Sequence, residues 1–228
     1  MQLGILEQKI AYIFKDKDLL KEALTHRSYL NENTDWPLPH NERLEFLGDA
    51  VLELAVTEEL FKRFPDYTEG QLTPIRSALV NYQMMARIGY DMELENSILL
   101  SRGEAKDVGR AREVIVANAL EAVIGALYLD GGYEKAKTFI DAFILARLAE
   151  VIRQGRYRDA KSQMQEQVQE KMKVTPSYRV LKEEGPDHAK MFTVGVFFGE
   201  TLIATGAGMS KQDGEVEAAK AALKLLER

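Results

Sequence analysis

The segment NERLEFLGDAVL, at 41–52, places acidic side chains on one face of a stretch whose other residues predict a buried helix. At about 100° per residue, Glu42, Glu45 and Asp49 fall within an arc of roughly 60°. Apolar residues surround them: Leu44, Leu47, Val51 and Leu54. Like charges this close repel one another, so such a cluster is stable either in water or around a hard divalent cation such as Mg²⁺. The segment therefore predicts a helix with a solvated acidic stripe or a metal site.

The composition indicates a chain with enough apolar residues for a packed core. Of its 228 residues, 46% are hydrophobic and none is cysteine, which excludes disulfides, thiolate metal sites and cysteine nucleophiles. No uninterrupted run of about 18 apolar residues is present, and the N-terminal segment does not resemble a secretory signal. We therefore expect a soluble, cytoplasmic protein with no membrane partner. The net charge of −6 and the pI near 5.3 argue against nucleic-acid binding.

The hydrophobic pattern divides the chain into two modules. As far as about residue 152, apolar residues recur at spacings of three and four, which is typical of helices. The pattern breaks at three polar or proline-containing stretches: 31–40, 65–70 and 101–112. A charged stretch with one glycine follows. We therefore predict an all-helical domain at 1–152 and a linker at 153–158.

The second module, at 159–228, has a different periodicity. It begins with a helical pattern at 162–173, continues with three segments that alternate like strands, and ends in an alanine-rich amphipathic helix at 213–227. The predicted fold class is therefore mostly α, with a small α+β domain of order α-β-β-β-α at the C-terminus.

Several motifs in a fixed order resemble the ribonuclease III family, whose members cut double-stranded RNA. The signature NERLEFLGDAVLEL is accompanied by further matches: FKDKDLLKEALTHRSY at 14–29, TEGQLTPIRSALV at 68–80, ALEAVIGALYLDGG at 119–132, and the second module. The resemblance covers the whole chain. It implies an all-helical ribonuclease III domain followed by a double-stranded-RNA-binding domain, which reads the shape and phosphates of A-form RNA more than its sequence.

The resemblance also implies the catalytic metal ligands. Glu45, Asp49 and Glu121 match the family's metal-binding carboxylates, and position 118 matches a fourth ligand. Mg²⁺ held by these residues, for which Mn²⁺ could substitute, would activate water and neutralise charge on the scissile phosphate. Glu53 lies on the same arc of the predicted helix, and only the family motif excludes it as a ligand.

Two further acidic residues, Glu42 and Glu69, match family positions near the cleavage site that are implicated in substrate handling and in positioning at the dimer junction. In the family, the signature helices of two protomers meet across a two-fold axis and create two equivalent sites. The resemblance therefore implies a homodimer, in which Phe46 and Leu47 are interface or core residues. The THRSY segment at 25–29 matches a segment near the family's substrate-facing surface, but a histidine after threonine at a helix end is as often a cap or a packing residue.

Position 118 departs from the family pattern. Where the family has aspartate before ALEA, this chain has Asn118, whose amide oxygen can coordinate Mg²⁺ but carries no charge. Three charged ligands instead of four should bind the metal more weakly. Two explanations are open: a deliberate substitution that lets the nuclease bind RNA without cutting it, or a natural change in a protein that binds RNA with little or no cleavage.

The second module also departs from its type. The family has two basic residues and then an alanine on the last helix, whereas this chain has Lys211, Gln212 and, in place of the alanine, Gly214. Glycine inside a helix costs about 1 kcal/mol relative to alanine. Residues 159–228 contain ten Lys and Arg and eleven Asp and Glu, which gives a net charge of −1. Such a charge attracts the phosphates of RNA only weakly. Three residues nevertheless match family positions that contact the minor groove or phosphates: Gln165, His188 and Lys211.

The predicted function is that of a homodimeric, Mg²⁺-dependent endoribonuclease that hydrolyses both strands of double-stranded RNA, as in the processing of ribosomal and messenger RNA precursors. Asn118 is expected to impair cleavage in this chain. The alternative is a protein that retains the nuclease fold and binds duplex RNA without cleaving it.

Overall fold

The chain folds into two compact units, Met1–Tyr157 and Arg158–Arg228, each with its own hydrophobic core. The computed structural model describes residues 3–106, 108–154, 160–186 and 190–226. Most of the linker predicted at 153–158 lies outside the described residues, so its boundaries stay a prediction.

The first unit is helical, as predicted. Its described residues form nine α-helices: α1 (Leu3–Ile10), α2 (Lys17–Ala23), α3 (Arg27–Glu32), α4 (Glu42–Arg63), α5 (Glu69–Val80), α6 (Tyr82–Asp91), α7 (Arg110–Gly131), α8 (Tyr133–Phe143) and α9 (Leu148–Gln154). The chain leaves helical structure between α3 and α4 and between α4 and α5, where prolines predict breaks. Helix α5 begins with a capping box, in which the backbone N–H of Thr68 donates to the side-chain oxygen of Gln71 at 2.9 Å.

Helix α7 lies at the centre of the first unit and packs against α2, α4, α6 and α8. Between Ile115 and Leu127, every residue is buried except Asn118 and Glu121. By length and composition, α7 alone among the helices of the described residues could cross a membrane, but 61% of the apolar window is buried inside the unit. These properties identify α7 as the core helix. Its two polar residues, Asn118 and Glu121, form a polar notch in this otherwise buried segment.

Helices α4 and α7 touch backbone to backbone where they cross. A Cβ atom on Gly48 would lie 1.8 Å from the carbonyl oxygen of Glu121, and a Cβ atom on Gly125 would lie 2.2 Å from that of Leu44. Both distances are far below any van der Waals contact, so each position requires glycine. This close crossing brings the acidic face of α4 against the polar notch of α7.

The second unit has the predicted order of one helix, three strands and one helix. Its elements are α10 (Ala160–Met172), β1 (Pro176–Glu184), β2 (Met191–Phe198), β3 (Thr201–Gly208) and α11 (Lys211–Leu226). The strands form an antiparallel sheet of order β1-β2-β3, in which Val196 lies opposite Tyr178 on one side and Ala204 on the other. Apolar residues of both helices cover one face of this sheet and form the core.

Helix α11 lies directly on the sheet because glycines remove side chains from the contact. A Cβ atom on Gly206 of β3 would lie 2.0 Å from the backbone nitrogen of Ala218, and one on Gly214 would lie 2.7 Å from Cγ2 of Val194. Gly214 is therefore more than a weak helix residue. Its cost to helix propensity accompanies a close approach between α11 and β2 that alanine would disturb.

We predict that Gly48→Ala destabilises the nuclease unit by about 3 kcal/mol, the upper end of the range for overpacked cores, because backbone atoms cannot move aside for the new methyl group. Thermal or denaturant unfolding followed by circular dichroism measures the change. The matched control is Gly4→Ala in α1, where a Cβ atom would meet nothing within 4 Å. That control should be neutral or stabilising by up to about 1 kcal/mol. Equal stabilities for the two variants would show that the α4–α7 crossing tolerates a wider separation.

Candidate active site and RNA-binding surface

The four predicted ligand positions meet at the crossing of α4 and α7. Glu45 and Asp49 lie one turn apart on α4, on either side of Gly48, and Asn118 and Glu121 form the notch of α7. The Asn118 side chain lies close enough to the Glu45 carboxylate to lower its pKa. The geometry therefore collects three carboxylates and one amide around a single contact.

Burial and mutual repulsion raise the pKa values of two carboxylates in this cluster. Burial, followed by the charges of Asp49 and then Glu45, raises the pKa of Glu121 to about 8. Burial and the charge of Glu42 also raise the pKa of Glu45, against the opposing effect of the nearby Asn118 amide. Negative charge on these side chains therefore costs free energy in the folded protein unless a cation lies nearby.

The donor set fits a hard divalent cation in its chemistry. Mg²⁺ prefers carboxylate and amide oxygens, and all four side chains offer them. Within the described part of the chain, however, no three His, Cys, Asp or Glu side chains are arranged so that they could hold a metal ion between them. Asp49 is exposed at the rim, whereas Glu121 is partly buried below it.

Two basic groups that the sequence analysis did not connect to the site lie beside Glu42. The Arg27 guanidinium is 3.6 Å from one carboxylate oxygen of Glu42, and Nδ1 of His40 is 3.8 Å from the other. Arg27 is placed there by the turn before α3, in which Nδ1 of the N-cap residue His26 accepts from the backbone N–H of Ser28 at 3.3 Å. The helix-cap interpretation of the THRSY segment is thus confirmed. Its contribution to the site is to position Arg27.

Glu69 lies apart from the other acidic residues within one chain. It begins α5 and accepts a hydrogen bond from the Thr73 hydroxyl at 3.1 Å. It lines a groove of about 290 Å³ with Thr57 and Phe61, which belong to the distal half of α4. At 1.5 Å per residue, Thr57 is about 18 Å along the helix from Glu45. The structure of one chain therefore does not bring Glu69 to the carboxylate cluster.

The outer face of α4 carries an apolar stripe beside the acidic edge. Phe46, Leu54 and Phe61 are 81%, 58% and 72% exposed, and at about 100° per residue they fall within an arc of about 80°. Glu53 borders this stripe and is exposed. Leu47 instead packs against the core of the unit. Large apolar side chains with this much exposure mark a candidate contact surface.

The structure of the second unit describes two of the three residues that are predicted to contact RNA. Gln165 is exposed on α10, and Lys211 is the first residue of α11. The third, His188, lies outside the described residues. The Lys211 ammonium is 3.5 Å from the Glu183 carboxylate and 5.7 Å from the ring centroid of Phe192. Lys211, which is expected to contact a phosphate, therefore already interacts with two side chains of its own chain.

Ion pairs neutralise many cations of the second unit. The pairs are Lys161–Glu215, Arg179–Glu200, Lys182–Glu184, Lys190–Glu183, Lys211–Glu183 and Lys220–Glu217. The low net charge predicted from the sequence thus corresponds to cations that lie beside carboxylates. Competition from these carboxylates should reduce the attraction of the surface for phosphates.

Comparison with known proteins gives the same two-part organisation. A ribonuclease-III-like family model matches residues 16–148, and a model of the double-stranded RNA binding motif matches residues 160–226. Ribonuclease 3 of Borreliella burgdorferi is 42% identical over 226 residues, which cover 99% of this chain and 92% of that protein. Ribonuclease 3 of Symbiobacterium thermophilum is 45% identical over 217 residues, which cover 95% of this chain and 91% of that protein.

A solved structure agrees with the fold of the first unit. The nuclease domain of ribonuclease III from Campylobacter jejuni is 44% identical, with a TM-score of 0.58, and the match covers 63% of this chain and 96% of that domain. Together with the family matches, this likeness confirms the predicted fold class. The chain therefore belongs to the ribonuclease III family and is a ribonuclease III-type endoribonuclease with a C-terminal double-stranded-RNA-binding domain.

Proposed function

We propose that the protein is a homodimeric, Mg²⁺-dependent nuclease that hydrolyses both strands of duplex RNA in precursor processing in the cytoplasm, and that Asn118 slows the cleavage step. The observation that carries this proposal is the meeting of Glu45, Asp49, Asn118 and Glu121 where α4 crosses α7. Buried carboxylates with raised pKa values are typical of sites that need a cation or perform proton transfer.

Each of the four side chains has a distinct part in the proposal. Glu45 and Asp49 would present oxygens from one rigid helix, and Glu121 would present its carboxylate from below. When bound, Mg²⁺, or Mn²⁺ in its place, supplies an activated water and neutralises charge that develops on the scissile phosphate. Glu42, paired with Arg27, would help to orient the RNA strand at the rim.

Asn118 acts on the site through its nearness to Glu45. Its amide lowers the pKa of Glu45 and so favours the charged form of that carboxylate without any metal. An aspartate at 118 would instead add a fourth negative charge. The amide should therefore lower both the charge and the metal affinity of the site. This contact also favours the second candidate function, a protein that binds duplex RNA with little cleavage.

The homodimer is proposed from the outer face of α4. The apolar stripe formed by Phe46, Leu54 and Phe61 borders the acidic edge, so two copies that meet at this stripe would place a site at each edge of the interface. Pairing of the protomers could also bring Glu69 toward the partner's site. In the Campylobacter jejuni nuclease domain, a region with structural flexibility is involved in dimer formation.

We predict that Asn118→Asp cleaves a labelled RNA duplex at least about tenfold faster at limiting Mg²⁺, a barrier difference of roughly 1.4 kcal/mol. The same variant should be less stable than the original chain in EDTA, because it replaces a neutral amide beside Glu45 by a charge that repels this carboxylate. Added Mg²⁺ or Mn²⁺ should restore its stability. Gel-based cleavage rates and thermal unfolding with and without metal measure both effects.

Controls for this experiment use the acidic residues of α4. In the Asn118→Asp background, Glu45→Ala or Asp49→Ala should abolish cleavage and leave RNA binding largely intact, because most RNA contacts lie elsewhere. Glu53→Ala should have a mild effect. A loss of activity with Glu53→Ala as large as with Asp49→Ala, in a folded protein, would contradict the ligand assignment. Equal cleavage rates for the original chain and the Asn118→Asp variant would remove position 118 from the metal site.

Glu121 gives a pH-dependent prediction in the absence of metal. Because its folded pKa of about 8 lies above the ordinary value of 4.5, its effect on stability becomes unfavourable as the pH rises through this window. In EDTA, the stability of Glu121→Gln relative to the original chain should therefore increase by at least about 1 kcal/mol from pH 5 to pH 8. Denaturant unfolding at the two pH values measures the difference. A difference that stays constant with pH would show that Glu121 carries no such penalty.

The dimer proposal predicts that Phe46→Ala weakens self-association at least about tenfold, because an exposed aromatic side chain at the centre of an apolar contact contributes strongly to binding. Sedimentation equilibrium over a concentration series measures the dissociation constant. Ile13→Ala is the matched control, since Ile13 is 78% exposed outside α4. Equal dissociation constants for both variants would move the interface away from this face of α4.

A further inference from the structure

The carboxylate of Glu183, on β1, forms ion pairs with two lysines. One of its carboxylate oxygens is 3.3 Å from Nζ of Lys190, and the other is 3.5 Å from Nζ of Lys211. The strand register places Glu183 opposite Phe192, whose ring lies 5.7 Å from the same Lys211 ammonium. Lys211, at the start of α11, therefore interacts with both a carboxylate and an aromatic ring.

The position of this carboxylate matters because Lys211 is one of the proposed phosphate contacts. A lysine ammonium contacts a carboxylate and a phosphate at similar distances and with the same charge complementarity. Glu183 thus offers Lys211 and Lys190 an anion from within the chain. The Glu183 side chain is partly exposed, so a phosphate of the RNA backbone can approach both lysines and replace it.

We propose that Glu183 is an affinity-setting residue of the RNA-binding surface, an internal anion that occupies the place of a backbone phosphate and must be displaced when duplex RNA binds. This inference rests on the proposed RNA-binding role of Lys211. The partner that displaces Glu183 is recognised by its phosphates, so the effect is independent of base sequence.

The electrostatics of Glu183 agree with this arrangement. The hydrogen bond from Lys190, together with the nearby charge of Lys211, lowers the pKa of Glu183 from its ordinary value. Glu183 is therefore ionised at neutral pH and remains a competitor for phosphate. Its displacement exchanges one anion for another, so RNA binding releases fewer counterions from these lysines than it would from two solvated cations.

The adjacent residue Glu184 provides a matched control. Neighbouring residues of a strand point to opposite faces of the sheet. Glu184 pairs with Lys182 at 2.7 Å, whereas Glu183 reaches Lys190 and Lys211. Glu183→Gln and Glu184→Gln therefore change the net charge of the unit equally, but only the first variant releases Lys211.

The test measures binding of the full-length protein to a labelled RNA duplex without added divalent metal, by fluorescence anisotropy over a series of salt concentrations. Glu183→Gln should bind about two- to fivefold more tightly, the range expected for a partly exposed ion pair. Its log–log salt slope should steepen by up to about one unit. A second duplex of unrelated sequence should show the same change. Glu184→Gln should tighten binding clearly less.

Two outcomes would overturn the inference. If Glu183→Gln and Glu184→Gln tighten RNA binding equally, the change in net charge alone explains the effect. If Glu183→Gln leaves RNA binding unchanged, the carboxylate does not compete with RNA. Lys211→Gln separates this failure from that of the proposed function. If Lys211→Gln weakens binding while Glu183→Gln has no effect, only the inference fails, whereas unchanged binding by Lys211→Gln contradicts both the RNA contact and the competition.

Discussion

The contact between the backbones of α4 and α7 determines the geometry of the nuclease unit. Gly48 and Gly125 lie where any side chain would separate the two helices, so the helices approach until backbone atoms touch. Side chains one turn away on each helix are then forced together. The carboxylates of the two helices therefore lie close enough to repel one another. Packing in the apolar core around α7 holds them together against this repulsion.

In both units, a side chain of the chain itself lies beside a group that would bind the ligand. The Asn118 amide lies beside Glu45 in the nuclease unit, and Glu183 forms ion pairs with two lysines in the second unit. In each case an internal partner satisfies a group that a ligand would otherwise engage. A metal ion or an RNA phosphate must therefore compete with an existing interaction, and its observed affinity is the difference between the two. Such competition favours weak and reversible binding.

The sequence predicts the helices and their chemistry better than it predicts contacts between distant segments. Hydrophobic periodicity places Glu45 and Asp49 on one face of a helix, and the family motif selects Glu121 and position 118. No local pattern pairs Gly48 with Gly125, because their contact depends on how two helices cross. A glycine inside each helical pattern is the only sequence sign of it. The pairing of Arg27 with Glu42 and that of Lys211 with Glu183 likewise depend on tertiary structure.

The central position of α7 has a consequence for how the chain folds. A helix with apolar residues on all sides has no face suited to water, so it cannot persist alone while its neighbours are unfolded. Its burial depends on helices from both earlier and later parts of the chain, including α8, which follows it directly. A nascent chain that ends at Gly131 would thus expose a long apolar helix without its C-terminal cover. Until α8 is synthesised, this segment exposes apolar surface of the kind that leads to aggregation.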